Sequence, residues 1–363
     1  MTTGQPEFDY TSRRRKIYNR IAESEVDAYY TDELLNLRYL FGFRGTAGSL
    51  LLTDQSTHVF LDGRYRLYGE ELSDEDLSVH HISSDRIDAL GQVLRDRQLN
   101  RVHFERDRLR YRVFRKIVKK TDLKNRNYGE DWISQERSKK DAEEIKCMEQ
   151  AIERTLGLFD LLHTWIEPGL TEEELARILR AELESRGEAQ AFCPLVLFGE
   201  RTALPHAPSG QRIMEEGDPV LVDMGVKIAG YCSDLTRMFF CGEGREELVK
   251  LYDLSKQASA RAFKQLEPGK SVQEVANVAK KFLSEQGHAD HLRHGLGHGV
   301  GLNVHEEPRL SVKSGETLEP GMVVTLEPGI YIDGVGGGRI EHMALVTEEG
   351  ARILDEPNSY MND

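Results

Sequence analysis

Three histidines fall within twelve residues in His294-Gly-Leu-Gly-His298-Gly-Val-Gly-Leu-Asn-Val-His305. Imidazoles so spaced can bind a metal ion, move protons or polarise a carbonyl. The glycines between them let the backbone approach a partner closely. A glycine-rich loop with incidental histidines is the plain alternative. The question is therefore whether the rest of the chain supplies partners.

It supplies carboxylates, in pairs. Gly217-Asp-Pro-Val-Leu-Val-Asp223 is echoed by Gly321-Met-Val-Val-Thr-Leu-Glu327, and in both a glycine opens an apolar strand that ends on an acid six residues on. Each strand has an apolar partner with a second acid, Asp234 in Gly230-Tyr-Cys-Ser-Asp-Leu-Thr-Arg237 and Glu341 in Gly338-Arg-Ile-Glu341. The spacing predicts two hairpins, with turns near 227–230 and 333–337. Centred between Ile228 and Ala229, the first sets Asp223 directly opposite Asp234, about 4.5–5.5 Å apart at Cβ. The second repeats this with Glu327 and Glu341. Solvent-facing strand acids are the alternative, but two such pairs at matched positions of a repeat argue for convergence. Facing carboxylates on apolar strands repel and lose hydration, so four together need cations between them.

Four carboxylates and one imidazole make a hard, oxygen-rich set with capacity for two divalent ions. Mn²⁺, Co²⁺, Fe²⁺ and Zn²⁺ suit it, and a sulfur-free set argues against copper(I) or an iron–sulfur cluster. Two metal ions about 3.5–4 Å apart clamp a bridging water, lower its pKa and polarise a carbonyl. A histidine that holds no metal can donate to the developing oxyanion or to the leaving group. This is hydrolytic machinery.

The elements that position these residues are duplicated too. Glu167-Pro-Gly-Leu-Thr171-Glu-Glu-Glu174-Leu-Ala-Arg-Ile178 recurs as Glu267-Pro-Gly-Lys-Ser271-Val-Gln-Glu274-Val-Ala-Asn-Val278. Thr171 with Glu174 predicts a capping box, and Gly187 suits the end of that helix. A twelve-residue match at a hundred-residue interval points to an internal duplication. Before it, Ser138-Lys-Lys-Asp141 can cap a long helix with Ile145, Met148, Ile152, Leu156, Phe159 and Leu162 on its apolar face.

A chain of 363 residues exceeds one ordinary core and predicts two domains. In the first third, short apolar runs alternate with helical patterns, which argues for a smaller α/β unit. Residues 26–30, 48–52, 57–61, 77–82 and 101–104 read as strands, and 13–25, 64–72 and 87–94 as helices. Arg38, Arg64, His80 and His81 have no catalytic spacing. Residues 108–124 read as a basic, solvated helix, and 125–138 as a polar linker. The boundary falls within 128–138, giving domains 1–135 and 136–363.

The net charge of −14 argues against nucleic acid or an anionic membrane as partner. Cys147, Cys193, Cys232 and Cys241 form no framework and read as buried thiols of a reducing compartment. The N-terminus lacks the apolar stretch of a secretory signal, and no apolar run approaches the ~20 residues of a membrane helix. The expectation is a cytoplasmic protein.

With these residues in view, the chain resembles the pita-bread metallopeptidase family that contains aminopeptidase P, prolidase and methionine aminopeptidase. Its C-terminal two-thirds carry the motifs GHGVG, TLEPG and RIE. The first third, with Asn36-Leu-Arg-Tyr-Leu-Phe-Gly-Phe43 and Leu61-Asp-Gly-Arg-Tyr65, is similar to the creatinase-like domain that precedes the proline-specific members. The resemblance implies an α/β (α+β) fold: a C-terminal pita-bread domain with pseudo-two-fold duplication, behind a smaller creatinase-like α/β domain. It implies Asp223, Asp234, His298, Glu327 and Glu341 as ligands of two divalent ions, Mn²⁺ foremost, with Glu327 also moving protons. It implies substrate-side roles for His206, in Ala203-Leu-Pro-His206-Ala, and for His294, His305 and Arg339. Tyr231 and Arg237 fit the family's GYxSDxTR segment, in roles as much structural as direct. His288 and His291 match no motif and read as helix-end or loop residues.

An Xaa-Pro bond lacks an N–H, so a dedicated pocket is needed to cleave it. The accessory domain, the segment around His206 and the histidine spacing resemble the proline-specific branch. The expected activity is hydrolysis of an N-terminal Xaa-Pro bond through a metal-bridging water. Xaa-Pro aminopeptidase is favoured and prolidase, an Xaa-Pro dipeptidase, is the alternative. The substrate is a proline-containing peptide or dipeptide, and the resemblance implies a homodimer. A creatinase-type C–N hydrolase or a silent binding module of the same fold would usually lack the full ligand set.

Overall fold

The structure, a computed structural model, describes residues 6–355 apart from 73, 83, 84, 122 and 124. Its contacts divide the chain into two units, Glu7–Arg137 and one running from Ser138 onward.

In the first unit the order is α1 (Tyr10–Ala22), β1 (Ala28–Thr31), α2 (Leu34–Phe41), β2 (Ser49–Leu52), β3 (Thr57–Asp62), α3 (Arg66–Glu71), β4 (Leu77–Ile82), α4 (Arg86–Asp96), β5 (Arg101–Glu105), α5 (Tyr111–Lys120), β6 (Asn125–Gly129) and α6 (Trp132–Ser138). The sheet runs β4-β3-β2-β1-β5-β6. Strands β1, β5 and β6 pair in parallel, as do β3 and β4. A core of Ala28, Tyr30, Leu51, Phe60, Val102 and Phe104 packs against Ile87, Leu90 and Leu94 of α4 and Ile117 of α5. The basic residues of α5 lie on its outer side, where Lys116 and Lys120 pair with Asp85 (3.1 and 2.7 Å). Lys124, at the end of the basic stretch, lies outside the described residues.

The stretch 125–138 is not a linker. It forms the edge strand β6 and the helix α6, with Trp132 and Ile133 buried. A parallel edge strand needs only backbone pairing with β5, so its polar sequence conceals it.

The second unit continues with α7 (Ala142–Leu162), α8 (Glu172–Arg186), β7 (Ala189–Gln190), β8 (Leu195–Phe198), β9 (Pro219–Met224), β10 (Val226–Ile228), β11 (Tyr231–Cys232), β12 (Leu235–Phe240), α9 (Glu246–Phe263) and α10 (Val272–Glu285). The strands β13 (Gly297–Gly299), β14 (Glu306–Leu310), β15 (Val323–Leu326), β16 (Gly329–Ile332), β17 (Gly336–Arg339), β18 (His342–Thr347) and β19 (Gly350–Ile353) follow. Antiparallel sheets run β12-β9-β8 and β14-β13-β15-β18-β19, and α9 and α10 pack their apolar sides on β14, β15 and β18. Among the described residues no helix is long and apolar enough to cross a membrane.

The duplication extends to individual backbone bonds. Gly169 N donates to Met214 O and Met214 N to Leu170 O; Gly269 N likewise donates to Leu318 O and Leu318 N to Lys270 O. Each trio precedes a capped helix, Thr171 with Glu174 on α8 and Ser271 with Glu274 on α10. Helix α7 is capped differently from the expectation. Asp141, not Ser138, is its N-cap, in a box with Glu144, because Ser138 still belongs to α6.

Candidate metal centre

The two hairpins that carry the acids close differently. In the first, Ile228 pairs with Tyr231 around Ala229-Gly230, both at positive φ (49° and 86°). This two-residue turn matches the twist of the strands. It centres the hairpin one residue later than expected, so Asp223 faces Thr236 rather than Asp234, and the two aspartates are not directly opposite. In the second hairpin Leu326 pairs with His342 and Gly329 with Arg339, the register in which Glu327 stands opposite Glu341.

The acids still converge. Ligand atoms of Asp234, His298 and Glu341 lie within 4.8 Å of one another. His298 Nε2 is 3.6 Å from Asp234 Oδ2 and 3.5 Å from Glu327 Oε1. His298 Nδ1 lies 3.1 Å from the Gly299 carbonyl, which can only accept, so Nδ1 carries the proton and Nε2 presents its lone pair to the acids. Gly297 and Gly299 are required by neighbouring strands rather than by the site. A Cβ at either would run into the Thr325 or Glu307 carbonyl.

Arg339, 1% exposed, is the cation beside the group. It donates to Asp223 Oδ2 (2.8 Å), the Thr236 hydroxyl (3.1 Å), the Pro205 carbonyl (3.1 Å) and the Tyr331 hydroxyl (3.2 Å). Thr236 commits its proton to Glu341 Oε2 (2.9 Å), while Asp223 Oδ1 is buried without a hydrogen-bond partner among the described residues. Burial and the neighbouring acids push Asp234 and Glu341 well above the usual carboxylate range. Burial raises Asp223 despite Arg339 and lifts Glu327 to about 8.

Four carboxylates therefore share one guanidinium, one hydroxyl proton and one imidazole lone pair among the described residues, and donors reach only Asp223 Oδ2 and Glu341 Oε2. Divalent cations fit this set. Carboxylate oxygens and imidazole nitrogen are their ligands, and added positive charge relieves the repulsion that now holds protons on the acids.

Of the remaining sequence-predicted residues, His305 stacks edge-on against His298 with ring centroids 4.4 Å apart, and His206 lies 6.3 Å from His294. His294 Nδ1 donates to the Gly295 carbonyl (2.8 Å), which leaves Nε2 to accept from the Tyr331 hydroxyl (2.7 Å). Burial, with Arg339 nearby, lowers His294 to about 3 and keeps it neutral. Tyr231 donates to the buried Glu144 at the start of α7 (2.8 Å). His288 and His291 face each other at a 3₁₀ turn, Nδ1 to Nδ1 3.3 Å.

Sequence reasoning missed Tyr331 and Thr236. Tyr331 had a signal, since it is a polar-tipped residue in an apolar strand four positions after Glu327. Thr236 had none beyond its place in the Asp234 segment.

Residues 146–348 match the model of metallopeptidase family M24, and residues 13–133 match that of the creatinase/prolidase N-terminal domain. The Xaa-Pro dipeptidase of Pyrococcus furiosus is 30% identical over 94% of this chain and 97% of its own length. A solved Xaa-Pro dipeptidase from Bacillus anthracis superposes with a TM-score of 0.91 at 28% identity, covering 96% of this chain and 98% of that one. An X-Pro aminopeptidase from Thermotoga maritima gives a TM-score of 0.85 at 30% identity, covering 94% and 98%.

Proposed function

The chain belongs to metallopeptidase family M24, and on that premise we propose that it is an Xaa-Pro dipeptidase. It hydrolyses the bond before proline with two divalent cations, Mn²⁺ foremost, held by Asp223, Asp234, His298, Glu327 and Glu341. The observation that carries the hydrolytic reading is the buried group of four acids around one imidazole lone pair. The dipeptidase reading, in place of the aminopeptidase favoured on motifs alone, draws on the likeness to two named Xaa-Pro dipeptidases over both domains. Xaa-Pro aminopeptidase remains the second reading, favoured by the likeness to the Thermotoga enzyme.

When bound, the cations supply Lewis-acid polarisation of the scissile carbonyl and acidify the attacking water. The chain's own groups do the rest. Glu327, whose Oε1 lies 3.5 Å from His298 Nε2, takes the proton released by water. It returns that proton to the proline nitrogen, which has no hydrogen of its own and must gain one to leave. His305, beside His298, donates to the oxygen on which charge develops. Neutral His294, oriented by Tyr331, forms an apolar-faced wall for the proline ring with His206 next to it. Arg339 fixes Asp223 and Tyr331 together. Residues 136–363 act as the catalytic domain and 1–135 as the accessory one. All four cysteines are free thiols, Cys147, Cys232 and Cys241 buried as expected and Cys193 exposed against expectation, which suits a cytoplasmic protein, and the working form is a homodimer.

The test is an assay with added Mn²⁺ on an Xaa-Pro dipeptide and an Xaa-Pro-containing tripeptide. Cleavage of the dipeptide is expected. Cleavage of the tripeptide alone would favour the aminopeptidase, and cleavage of neither would sink proline specificity. A monomeric mass by light scattering, with full activity, would refute the dimer.

A further inference from the structure

Bonded to the backbone carbonyl of Glu341 through Arg237 is a second buried ionic group that no catalytic step uses. Asp355, two residues past the end of β19 and 4% exposed, accepts from Arg237 (2.6 Å) and from His342 Nδ1 (2.8 Å) on Oδ2, and from the Met343 amide (2.9 Å) on Oδ1. His342 and Arg237 hold its carboxyl below the usual range in spite of complete burial. Arg237 spends a second nitrogen on backbone. NH1 donates to the Glu341 carbonyl (2.6 Å) and to the Thr236 carbonyl (3.1 Å).

Those two carbonyls belong to different halves of the duplication. Thr236 and Arg237 lie on β12, two and three residues after Asp234; Glu341 lies between β17 and β18. The Glu341 amide also donates to the Thr236 carbonyl (3.1 Å), and the Thr236 hydroxyl to the Glu341 carboxylate. The guanidinium of Arg237 thus ties the strand of one acid to the strand of the other. Asp355 fixes that guanidinium at one end and the strand after Glu341 at the other.

We propose that Asp355 is a positioning residue, which through Arg237 sets the separation of Asp234 and Glu341 and with it the affinity of the site for its cation. Buried carboxylate–guanidinium pairs are directional and rigid. Groups that orient metal ligands from behind typically change affinity about 10–100-fold when removed. The inference rests on Asp234 and Glu341 being ligands, and is independent of which peptide is cleaved.

The experiment is titration of the metal-depleted full-length protein with Mn²⁺ by calorimetry at 25 °C, together with thermal melts in the absence of metal. Asp355→Asn, which keeps shape and loses charge, should raise the Mn²⁺ Kd at least about 10-fold while the protein remains folded at that temperature. Arg237→Lys, which keeps the charge but cannot reach both carbonyls and Asp355 together, should raise it as well and serves if Asp355→Asn fails to fold. His342→Gln, which retains a donor toward Asp355, should recover an affinity within about threefold of the unmodified chain. A merely structural role would lower the melting temperature and leave the Kd unchanged. A Kd within twofold of the unmodified chain in both Asp355→Asn and Arg237→Lys overturns the proposal alone. An unmodified protein that binds no Mn²⁺ overturns it together with the metal site.

Discussion

Glu105 and Asp131 in the N-terminal unit, and Asp223, Asp234, Glu327 and Glu341 in the C-terminal one, are both groups of carboxylates withdrawn from water. Around the first pair the hydrogen-bond donors are neutral and numerous, with the Arg108 guanidinium 4.0 Å from Asp131 besides. Tyr29 donates to Glu105 (3.0 Å), Asn36 Nδ2 reaches both acids (3.0 and 3.3 Å), and Ser134 gives Asp131 its amide and hydroxyl (2.9 and 2.6 Å). Burial and the charge of Asp131 lift Glu105 to about 8. A single proton on Glu105 therefore leaves one negative charge among ample donors. The second group holds twice as many acids against one hydroxyl donor, one guanidinium and an imidazole turned lone pair inward. Protons alone would quiet it only by neutralising several acids at once. On the proposed reading, buried carboxylates serve as a metal site where donors are withheld, and form a structural network where they are supplied.

The hardest blow to this contrast is to change one acid of the second group into its neutral isostere. Asp234→Asn should abolish Mn²⁺-dependent hydrolysis, by at least about 10³-fold in kcat/KM, with far-ultraviolet circular dichroism unchanged. An active variant would contradict the assignment of Asp234 as a ligand. The metal-free protein should also betray its strained acids through pH. Glu327 rises from 4.5 to about 8 in the folded state, and Asp234 and Glu341 are raised in the same sense. An acid with a raised folded pKa stabilises below its unfolded value, and that stability is lost as pH climbs through the folded value. The unfolding free energy of metal-free protein should therefore fall between about pH 4.5 and pH 8, by up to about 1.4 kcal/mol per pH unit for each proton released, and the melting temperature with it. Mn²⁺ should restore stability at pH 8 more than at pH 5.5, because ligation needs the deprotonated acids. A flat metal-free profile would mean that the acids are not strained.

Smaller losses should follow from the groups beside the acids. His305→Ala should lower kcat about 10²-fold with little change in Mn²⁺ affinity. Tyr331→Phe, which removes the hydroxyl between Arg339 and His294, should cost about 10-fold in kcat/KM, the value of one directed hydrogen bond to a positioned ring. If Tyr331→Phe weakened Mn²⁺ binding as strongly as Asp234→Asn, the line drawn between acids and supporting residues would be wrong.

How far the sequence could carry this picture depended on whether a signal was local. The capping boxes at Thr171 and Ser271, the glycines opening β9 and β15, and the acid at the end of each strand are local and repeated, so the elements and the candidate ligands were legible. The register of the first hairpin was not. It turns on whether Ile228-Ala229 or Ala229-Gly230 occupies the turn, and positive φ at two successive residues decided for the latter. Strand β6 was hidden because edge pairing to β5 asks little of its side chains. Tyr331, Thr236 and Asp355 act only through partners distant in sequence, as Asp355 does through Arg237, 118 residues away.

The gentlest test lies in the N-terminal unit. If Glu105 and Asp131 are at rest because neutral donors and one proton satisfy them, then Glu105→Gln replaces a protonated acid by a side chain of nearly the same shape. Its oxygen can still accept from Asn36 and Tyr29, and its new amide can donate toward Asp131. At pH 6, where Glu105 already holds its proton, the variant's unfolding free energy should lie within about 1 kcal/mol of the unmodified chain's. At pH 9 the unmodified chain has passed through the folded value of about 8 and bears two adjacent negative charges, whereas glutamine bears none. There the variant should be the more stable of the two, the sign that linkage gives for an acid whose folded pKa is raised. Hydrolysis and Mn²⁺ affinity should not move. A variant that unfolds at pH 6 would show that Glu105 is needed as an anion even there, and the two groups of acids would then differ in degree rather than in kind.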